Sequence, residues 1–258
     1  MTRYTYGDSA LAARRLALVA ATFEPSTRVF LERAAPRAPR QAVDLGCGPG
    51  HTTRLLHRVT GATATLGLDA SEAYVSRARA EAPSGVSFEV HDATAVPFPA
   101  GSVDAIYARL LLAHLRDPAR VVAAWATQLA EGGAVLLDDL EAIETAHPVF
   151  RTYLDDVALA VIRREGGSLL VGPLLHRMAD PPGTERTHDE VATFSPPTAT
   201  TARIFAMNLA VLVERGETSP HPDLAAELEA IADGRAAAQP VGWSMRQVAL
   251  RRIGSGPS

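Results

Sequence analysis

Lysine is absent from the 258-residue sequence, so all 25 of its Lys and Arg positions are arginine. Together with abundant alanine, this uniform bias indicates codon usage in a GC-rich genome, so no single arginine can be read as chosen over lysine. Cysteine occurs once, at Cys47, which excludes an intrachain disulfide and a thiolate metal cluster. Free cysteines usually behave as small buried hydrophobic residues, so we interpret Cys47 as a packing residue rather than a nucleophile.

Other absences narrow the class of protein. The sequence shows no signal peptide and no apolar run of membrane-spanning length, so we expect a cytoplasmic protein without a membrane partner. The formal net charge is −4, and a basic face for nucleic acid is therefore not expected. A hydrophobic content of 47% suffices for a sizeable core, so we predict a single domain over residues 1–258, with a homodimer left open as its assembly.

The most informative stretch is a short apolar run that ends in Asp44. Gly46, Gly48 and Gly50 follow at every second position, which predicts a buried strand that breaks into a tight loop before a helix. Glycine permits positive φ angles and lets a ligand approach the backbone, and N–H groups at a helix start can bind an anionic group. The dinucleotide-binding fingerprint requires glycine at position 51, where the sequence has His51. The loop is therefore predicted to bind a different ligand.

Strand and helix patterns alternate along the first half of the chain. After the glycine loop, buried strands are predicted at 63–69, 86–92, 102–108 and 134–138. Such alternation predicts βαβ units and a parallel sheet. Residues 8–35 are predicted to be helical, with Pro25 opening a second helix. Beyond residue 141 we predict helices at 148–164, 168–179, 198–213 and 223–233, and strands at 185–194 and 243–253.

Three predicted strands end in an acidic residue, namely Asp44, Asp69 and Asp92. Ligands of open α/β sheets bind outside the carboxyl ends of the strands, so these side chains are expected at one site. The carboxylate of Asp69 can accept hydrogen bonds from both hydroxyls of a ribose, and Asp44 suits a ligand that carries a cation. Each acid alone could cap a helix or solvate a loop, but three in register behind a glycine loop favour one shared ligand.

The methionine end of S-adenosylmethionine (SAM) carries both an ammonium and a carboxylate, as such a site requires. Asp44 followed by GxGxG resembles the first motif of class I SAM-dependent methyltransferases. The resemblance spans residues 4–141. Segments 96–99 and 109–118 are similar to small-molecule methyltransferases of the ubiquinone-biosynthesis type.

The resemblance implies a Rossmann-like α/β fold, with a mostly parallel seven-stranded sheet and helices on both faces. It divides the single domain into an N-terminal helical lid (1–38), a SAM-binding core (39–140), a helical substrate cap inserted after the fifth strand (141–184), and C-terminal strands and helices (185–253). The lid and the cap are expected to cover the acceptor pocket.

The resemblance also implies which residues bind SAM. Asp92 with Ala93 corresponds to the adenine site, Arg109 lines the pocket, and Arg15 reaches the cofactor's carboxylate from the lid. For Arg15 the alternative is a solvated helix face. The full predicted cofactor set is Asp44, Gly46, Gly48, Gly50, Asp69, Ala70, Asp92, Ala93, Arg109 and Arg15.

Few residues are candidates for catalysis. His114 suits a general base because the pKa of histidine lies near neutral pH, and a structural histidine is the alternative. Tyr6 is a second catalytic candidate. The residues expected to line the acceptor pocket are Tyr4, Tyr6, His114 and Asp139.

A cluster of acidic residues ends the fifth predicted strand, at Asp138, Asp139 and Glu141. Carboxylates of this kind could bind a divalent cation. No further ligands are evident, so we expect a solvated or substrate-facing cluster and no metal.

These patterns predict a SAM-dependent methyltransferase that acts on O, N or C of a small-molecule acceptor in bacterial specialised metabolism. Catalysis is expected to depend mainly on alignment of the reactants and exclusion of water. Two alternatives stay open. One is the same fold using SAM non-catalytically for a rearrangement, and the other is methylation of a protein or nucleic acid, which the negative charge disfavours.

Overall fold

The computed structural model describes residues 7–164 and 166–254. Its strands are β1 (Gln41–Leu45), β2 (Ala64–Asp69), β3 (Val86–Val90), β4 (Val103–Arg109), β5 (Leu129–Glu144), β6 (Thr184–Phe194) and β7 (Gly242–Arg252). They form one sheet in the order β3-β2-β1-β4-β5-β7-β6. Strands β1 to β5 run parallel, and β7 runs antiparallel to β5 and β6. The predicted seven-stranded, mostly parallel sheet is confirmed.

Helices cover both faces of the sheet, as predicted. Strand side chains alternate between the faces, so in β4 Ile106 packs in one apolar cluster with Trp125, while Tyr107 packs in another with Phe30. The helices are α1 (Ala10–Ala34), α2 (His51–Thr60), α3 (Glu72–Ala80), α4 (Pro118–Ala126), α5 (Pro148–Thr152), α6 (Leu159–Arg164), α7 (Gly172–Arg177), α8 (Thr198–Glu214) and α9 (Pro222–Ala232), with a 3₁₀ turn at Leu112–His114 and a π-helical turn at Tyr153–Ala158.

The first helix differs from the prediction. We expected Pro25 to open a second helix, but α1 is continuous and contains Pro25 in its interior. Proline removes the hydrogen bond to the carbonyl four residues earlier, here that of Ala21. Both residues lie on the exposed side of α1, where water can bind that carbonyl. The helix begins after Ser9, whose side chain accepts a hydrogen bond from the N–H of Ala12 at 3.2 Å.

The fifth strand is longer than predicted, which shifts the start of the insertion. We expected a strand at 134–138, whereas β5 starts at Leu129 and ends at Glu144. Its last residues continue to pair with β7, for example Ala142 with Ser244. Residues 141–144 therefore belong to the sheet, and the helical insertion begins at α5. The helix predicted at 168–179 is reduced to the short α7.

An aromatic cluster joins α1 to the helices of the second half of the chain. The rings of Tyr153 and Phe205 stack with centroids 4.3 Å apart. Phe23 of α1 meets Trp243 of β7 edge-to-face at 5.4 Å. We call these four residues the aromatic wall. Each of them buries a large apolar area, so the aromatic wall fixes α1, the insertion, α8 and β7 relative to one another.

Candidate active site

One cavity lies where the carboxyl ends of the parallel strands meet α1, the insertion and α8. The expected cofactor residues that line it are Arg15, Gly46, Gly48, Asp69, Ala70, Asp92, Ala93 and Arg109, and His114 of the expected acceptor set lines it as well. Asp44, Gly50 and Asp139 do not line it. Tyr4 and Tyr6 lie outside the described residues, so their expected roles stay predictions.

The glycine loop follows β1 in the predicted form. Gly46 has φ +65°, and a Cβ there would lie 2.9 Å from the side chain of Leu111. Gly50 has φ +83°, and its Cβ would lie 2.6 Å from the ring of Phe88. Larger residues are therefore excluded both by conformation and by space. Cys47 between them is buried, and burial raises the pKa of its thiol, as expected of a packing residue.

Asp69 joins the end of β2 to the glycine loop. Its Oδ2 accepts the backbone N–H of Gly48 at 2.8 Å, and its Oδ1 accepts that of Ser71 at 2.8 Å. Burial raises the pKa of Asp69, and the two backbone hydrogen bonds oppose that rise. Each carboxylate oxygen can accept a second hydrogen bond. The fixed carboxylate at the cavity wall therefore suits a pair of ribose hydroxyls.

Asp92 and Ala93 form the next part of the wall. Oδ1 of Asp92 accepts the backbone N–H of Thr94 at 2.9 Å and its hydroxyl at 2.7 Å. Partial burial would raise the pKa of Asp92, but these hydrogen bonds outweigh it and leave the pKa below its ordinary value. The carbonyl of Ala93 accepts the indole N–H of Trp125 at 2.7 Å. This loop is thus held in place, with an ionised carboxylate beside the cavity.

Asp44 occupies a different place from the one expected. It is only 1% exposed, and its Oδ2 accepts the hydroxyls of Thr52 and Thr53, both at 2.6 Å. Burial raises its pKa to about 6, although the two hydroxyls and Arg109 lower it. Thr52 lines the cavity and Asp44 lies behind it. Asp44 thus lies behind the cavity wall rather than at its surface, and its expected interaction with a bound ammonium, directly or through water, stays a prediction.

Arg15 is buried rather than solvated, so the alternative of an exposed helix face is wrong. It is 9% exposed, and its Nε donates to Oδ1 of Asn208. Asn208 in turn donates from Nδ2 to the hydroxyl of Tyr153 at 2.8 Å. These two hydrogen bonds hold the guanidinium of Arg15 at the cavity wall. Its expected contact with a cofactor carboxylate stays a prediction.

His114 ends the 3₁₀ turn and lines the cavity. Burial, together with the positive charge of Arg15, lowers its pKa from 6.5 to about 4. The imidazole is therefore neutral near pH 7, but it is a weaker base than an ordinary histidine, so the reason given for expecting a general base here is not met. The turn is fixed from outside, because the backbone N–H of Ser168 donates to the carbonyl of Ala113 at 3.1 Å.

The acidic residues at the end of β5 do not form a cluster. Asp138 is buried and accepts hydrogen bonds from Thr27 (2.7 Å), Tyr107 (3.1 Å) and Gln247 (3.1 Å). Glu141 instead pairs with Arg246 through two hydrogen bonds of 3.0 Å. Across the described residues, no group of three or more His, Cys, Asp or Glu side chains could hold a metal ion.

Asp139 was expected in the acceptor pocket, and the structure overturns this. Its side chain is fully buried away from the cavity and faces the backbone N–H groups of Leu111 and Leu112. Burial, with the neighbouring Asp138, raises the pKa of Asp139 well above its usual range. Neither carboxylate oxygen of Asp139 has a hydrogen-bond partner of good geometry among the described residues, so Asp139 lies beneath the turn that carries His114 without being bonded to it.

Sequence reasoning missed most of the residues that line the cavity on the side of α1, the insertion, α8 and β7. The aromatic wall, Asn208 and Ile204 line it, and they come from four separate elements. One signal was available, since Asn208 is a polar residue on an otherwise apolar face of the predicted helix at 198–213.

Nothing in the described ranges is a helix long and apolar enough to cross a membrane.

Comparisons with known proteins agree with the sheet order and the cavity described above. Residues 43–137 match a family model described as a methyltransferase domain. This part of the chain therefore resembles a methyltransferase domain, and it includes strands β1 to β4 and most of β5. The cavity residues fit SAM, because Asp69 suits the ribose hydroxyls, Asp92 suits the adenine amine, and the glycines leave the backbone open to the ligand.

Two curated relatives are similar to about half of the chain. Over 125 residues the chain is 37% identical to a trans-aconitate 2-methyltransferase of Methylobacterium nodulans, which covers 47% of this chain and 47% of the relative. Over 128 residues it is 32% identical to a 27-O-demethylrifamycin SV methyltransferase of Amycolatopsis mediterranei, covering 46% and 47%. The matched part thus spans about half the length of these relatives.

Solved structures resemble the chain over most of its length. A Bacillus halodurans protein proposed to be a methyltransferase aligns with a TM-score of 0.61 at 17% identity, covering 89% of this chain and all of that one. The [4+2]-cyclase SpnF aligns with a TM-score of 0.55 at 19% identity, covering 90% and 81%. At such identities the likeness shows the fold alone, and one of these two proteins is named as a cyclase.

Proposed function

We propose that the protein transfers the methyl group of SAM to a small-molecule acceptor. One observation carries the proposal: the residues that fit SAM and the aromatic wall line the same cavity. A molecule held against the aromatic wall would lie beside the cofactor, sheltered from water. A role in bacterial specialised metabolism is part of the proposal, supported by the relative named as a rifamycin methyltransferase.

SAM supplies a methyl carbon already activated by its sulfonium. The contribution of the chain is therefore to align the acceptor and exclude water, which can account for much of a rate enhancement. Asp69 fixes the cofactor, the aromatic wall holds the acceptor, and the neutral ring of His114 receives the acceptor's proton where one must leave. Because the pKa of His114 is about 4, its ring is a weak base near pH 7, and we expect it to contribute less than the factor of about 10² to 10⁴ that is typical of a base whose pKa lies near the working pH.

The test of cofactor binding uses a matched pair of aspartates. Asp69→Ala should weaken S-adenosylhomocysteine binding by about 1.5–3 kcal/mol, the scale of hydrogen bonds to a charged group. Asp104 is the control, since it also accepts two backbone N–H bonds, from Arg40 (2.8 Å) and Gln41 (3.0 Å), but at the opposite end of the sheet. Titration calorimetry should show unchanged affinity in Asp104→Ala. Equal losses in both variants would refute the assignment of Asp69.

The alternative is a rearrangement that leaves the methyl group in place, as the fold of a cyclase allows. SAM labelled in its methyl group separates the two, because only transfer moves the label to the acceptor. Methylation of nucleic acid or protein is disfavoured by the net charge of −4. The homodimer and the cytoplasmic location stay predictions.

A further inference from the structure

The order of the strands gives a direction to a cofactor in the cavity. Asp92, which suits adenine, follows β3, and Asp69, which suits the ribose, ends β2. The next strands along this sheet are β1 and then β4. Neighbouring strands lie about 4.8 Å apart, so the amino-acid end of SAM should extend past the glycine loop toward the end of β4. Arg109 is the last residue of β4 and lines the cavity.

Arg109 belongs to a row of polar residues on the face of the sheet that α1 covers. Its register partner on β5 is Asp138, and the partner of Asp138 on β7 is Gln247. Register partners point to the same face of a sheet, so these three side chains lie side by side. From α1, the hydroxyl of Thr27 reaches the row and donates to Oδ2 of Asp138 at 2.7 Å.

Thr27 also determines where the guanidinium of Arg109 lies. Nη1 of Arg109 donates to the hydroxyl oxygen of Thr27 at 3.2 Å, while the hydrogen of that hydroxyl is directed to Asp138. The guanidinium is therefore bonded to a neutral hydroxyl and not to the carboxylate itself. Arginine has several N–H donors in a rigid fork that matches a carboxylate, and the other donors of Arg109 bond to none of the described residues. They are left for a ligand.

The charge of Arg109 acts on the glycine loop and its surroundings. Burial raises the pKa of Asp44 and lowers that of His51, and the charge of Arg109 lowers both. His51 begins α2 and lines the cavity directly after the loop. The rival is Arg15, which was expected to reach the carboxylate of SAM. After burial, the charge of Arg15 is what lowers the pKa of His114, beyond the end of β4.

We infer that Arg109 binds the carboxylate at the amino-acid end of SAM, and that Thr27, fixed by Asp138, is the positioning residue that holds the guanidinium at the cavity wall. The inference rests on the proposed function, since it concerns the cofactor of the methyl transfer. Without the hydroxyl of Thr27, the guanidinium would be drawn to the carboxylate of Asp138 and away from the ligand.

Two ligands isolate the contribution of the carboxylate. S-adenosylhomocysteine carries it, whereas decarboxylated S-adenosylhomocysteine keeps the adenosine, the sulfur and the ammonium without it. Calorimetry measures the affinity of each variant for both. Arg109→Gln should weaken S-adenosylhomocysteine binding by roughly tenfold, the lower end of the range for hydrogen bonds to a charged group, and should leave binding of the decarboxylated ligand within about twofold. Thr27→Val should weaken S-adenosylhomocysteine binding alone, by about threefold or more.

Matched variants on α1 assign the effect to one hydroxyl. Thr27→Ser keeps that hydroxyl and should retain the wild-type preference for S-adenosylhomocysteine over the decarboxylated ligand. Thr22→Val removes a hydroxyl of the same helix that donates to the carbonyl of Leu18 at 2.8 Å, and it should also retain the preference.

Three results would overturn the inference. They are equal weakening of both ligands in Arg109→Gln, an unchanged preference in Thr27→Val, and a loss specific to the carboxylate that is confined to Arg15→Gln. Failure of the proposed function is a separate result, seen when neither ligand binds to the wild type or when no labelled methyl leaves SAM for an acceptor.

Discussion

A single histidine gives the site a measurable pH dependence. The folded chain holds the pKa of His114 at about 4, below its ordinary 6.5. As the pH falls from 6.5 to 4, the unfolded chain binds a proton that the folded chain does not, so the folded state loses stability. The unfolding free energy of the wild type, measured relative to His114→Gln, should fall by about 3 kcal/mol between pH 7.5 and pH 4. Urea unfolding at each pH provides the measurement.

Asp44 provides a control, because its effect on the unfolding free energy should change with pH in the opposite direction. Its folded pKa of about 6 lies above the usual 3.8, so ionisation costs stability as the pH rises from 3.8 to 6. Relative to Asp44→Asn, the wild type should therefore become less stable over that rise. If both differences had the same sign, the assigned environments of the two residues would be wrong.

At the residue scale, the sequence predicts positions at strand ends better than orientation within a strand. Asp69 and Asp92 could be located because Asp69 ends β2, Asp92 lies two residues after β3, and the carboxyl ends of the strands share one edge. Asp138 and Asp139 are neighbours, so they must face opposite sides of β5. Both faces of this strand are buried, so the apolar pattern does not show which side faces the cavity.

At the scale of elements, the turn that carries His114 depends on the loop packed against it. A Cβ on Gly167 would lie 2.2 Å from the carbonyl oxygen of Ala113, and that contact is with backbone. Gly167→Ala should therefore displace the turn and destabilise the protein by about 1–3 kcal/mol. Methyl transfer should fall by roughly tenfold or more, since a misplacement of about 1 Å can cost a factor of 10².

The matched control is Gly61, which ends α2. It has φ +68°, but a Cβ there would have no atom within 4 Å. Gly61→Ala therefore introduces backbone strain of about 1 kcal/mol without displacing the site. Rates and urea unfolding would be measured for both variants. Equal loss of transfer in the two would show that the contact with Ala113 does not position His114.

The sequence predicts the ends of a helix or strand correctly where a local signal determines them. It misses those ends where contacts with distant parts of the chain determine them. The helices α8 and α9 match the prediction within one residue at each end, because apolar spacing and flanking prolines mark them. The extension of β5 to Glu144 depends on pairing with β7, about a hundred residues away. The aromatic wall was missed for the same reason, since Phe23, Tyr153, Phe205 and Trp243 meet only in the folded chain.

At the scale of the whole molecule, the two halves of α1 are held differently. The C-terminal half is bonded to the sheet, because Thr27 donates to Asp138 at 2.7 Å and Gln247 donates to Ser26 at 3.1 Å. The N-terminal half lines the cavity through residues such as Leu16 and Val19. The N-terminal half of α1 thus lies where a lid was expected and the C-terminal half packs on the sheet, and closure of the cavity by α1 stays a prediction.

This division predicts where a ligand will change hydrogen exchange. S-adenosylhomocysteine should slow exchange in residues 10–23 of α1, because binding favours the closed cavity, and should leave residues 24–34 unchanged. In Thr27→Val the hydrogen bond to Asp138 is lost, so slowing should extend into residues 24–34. Exchange followed by mass spectrometry, with and without ligand, tests both variants. Equal slowing along the whole helix in the wild type would show that α1 moves as one body, and no slowing in α1 would show that it does not close the site.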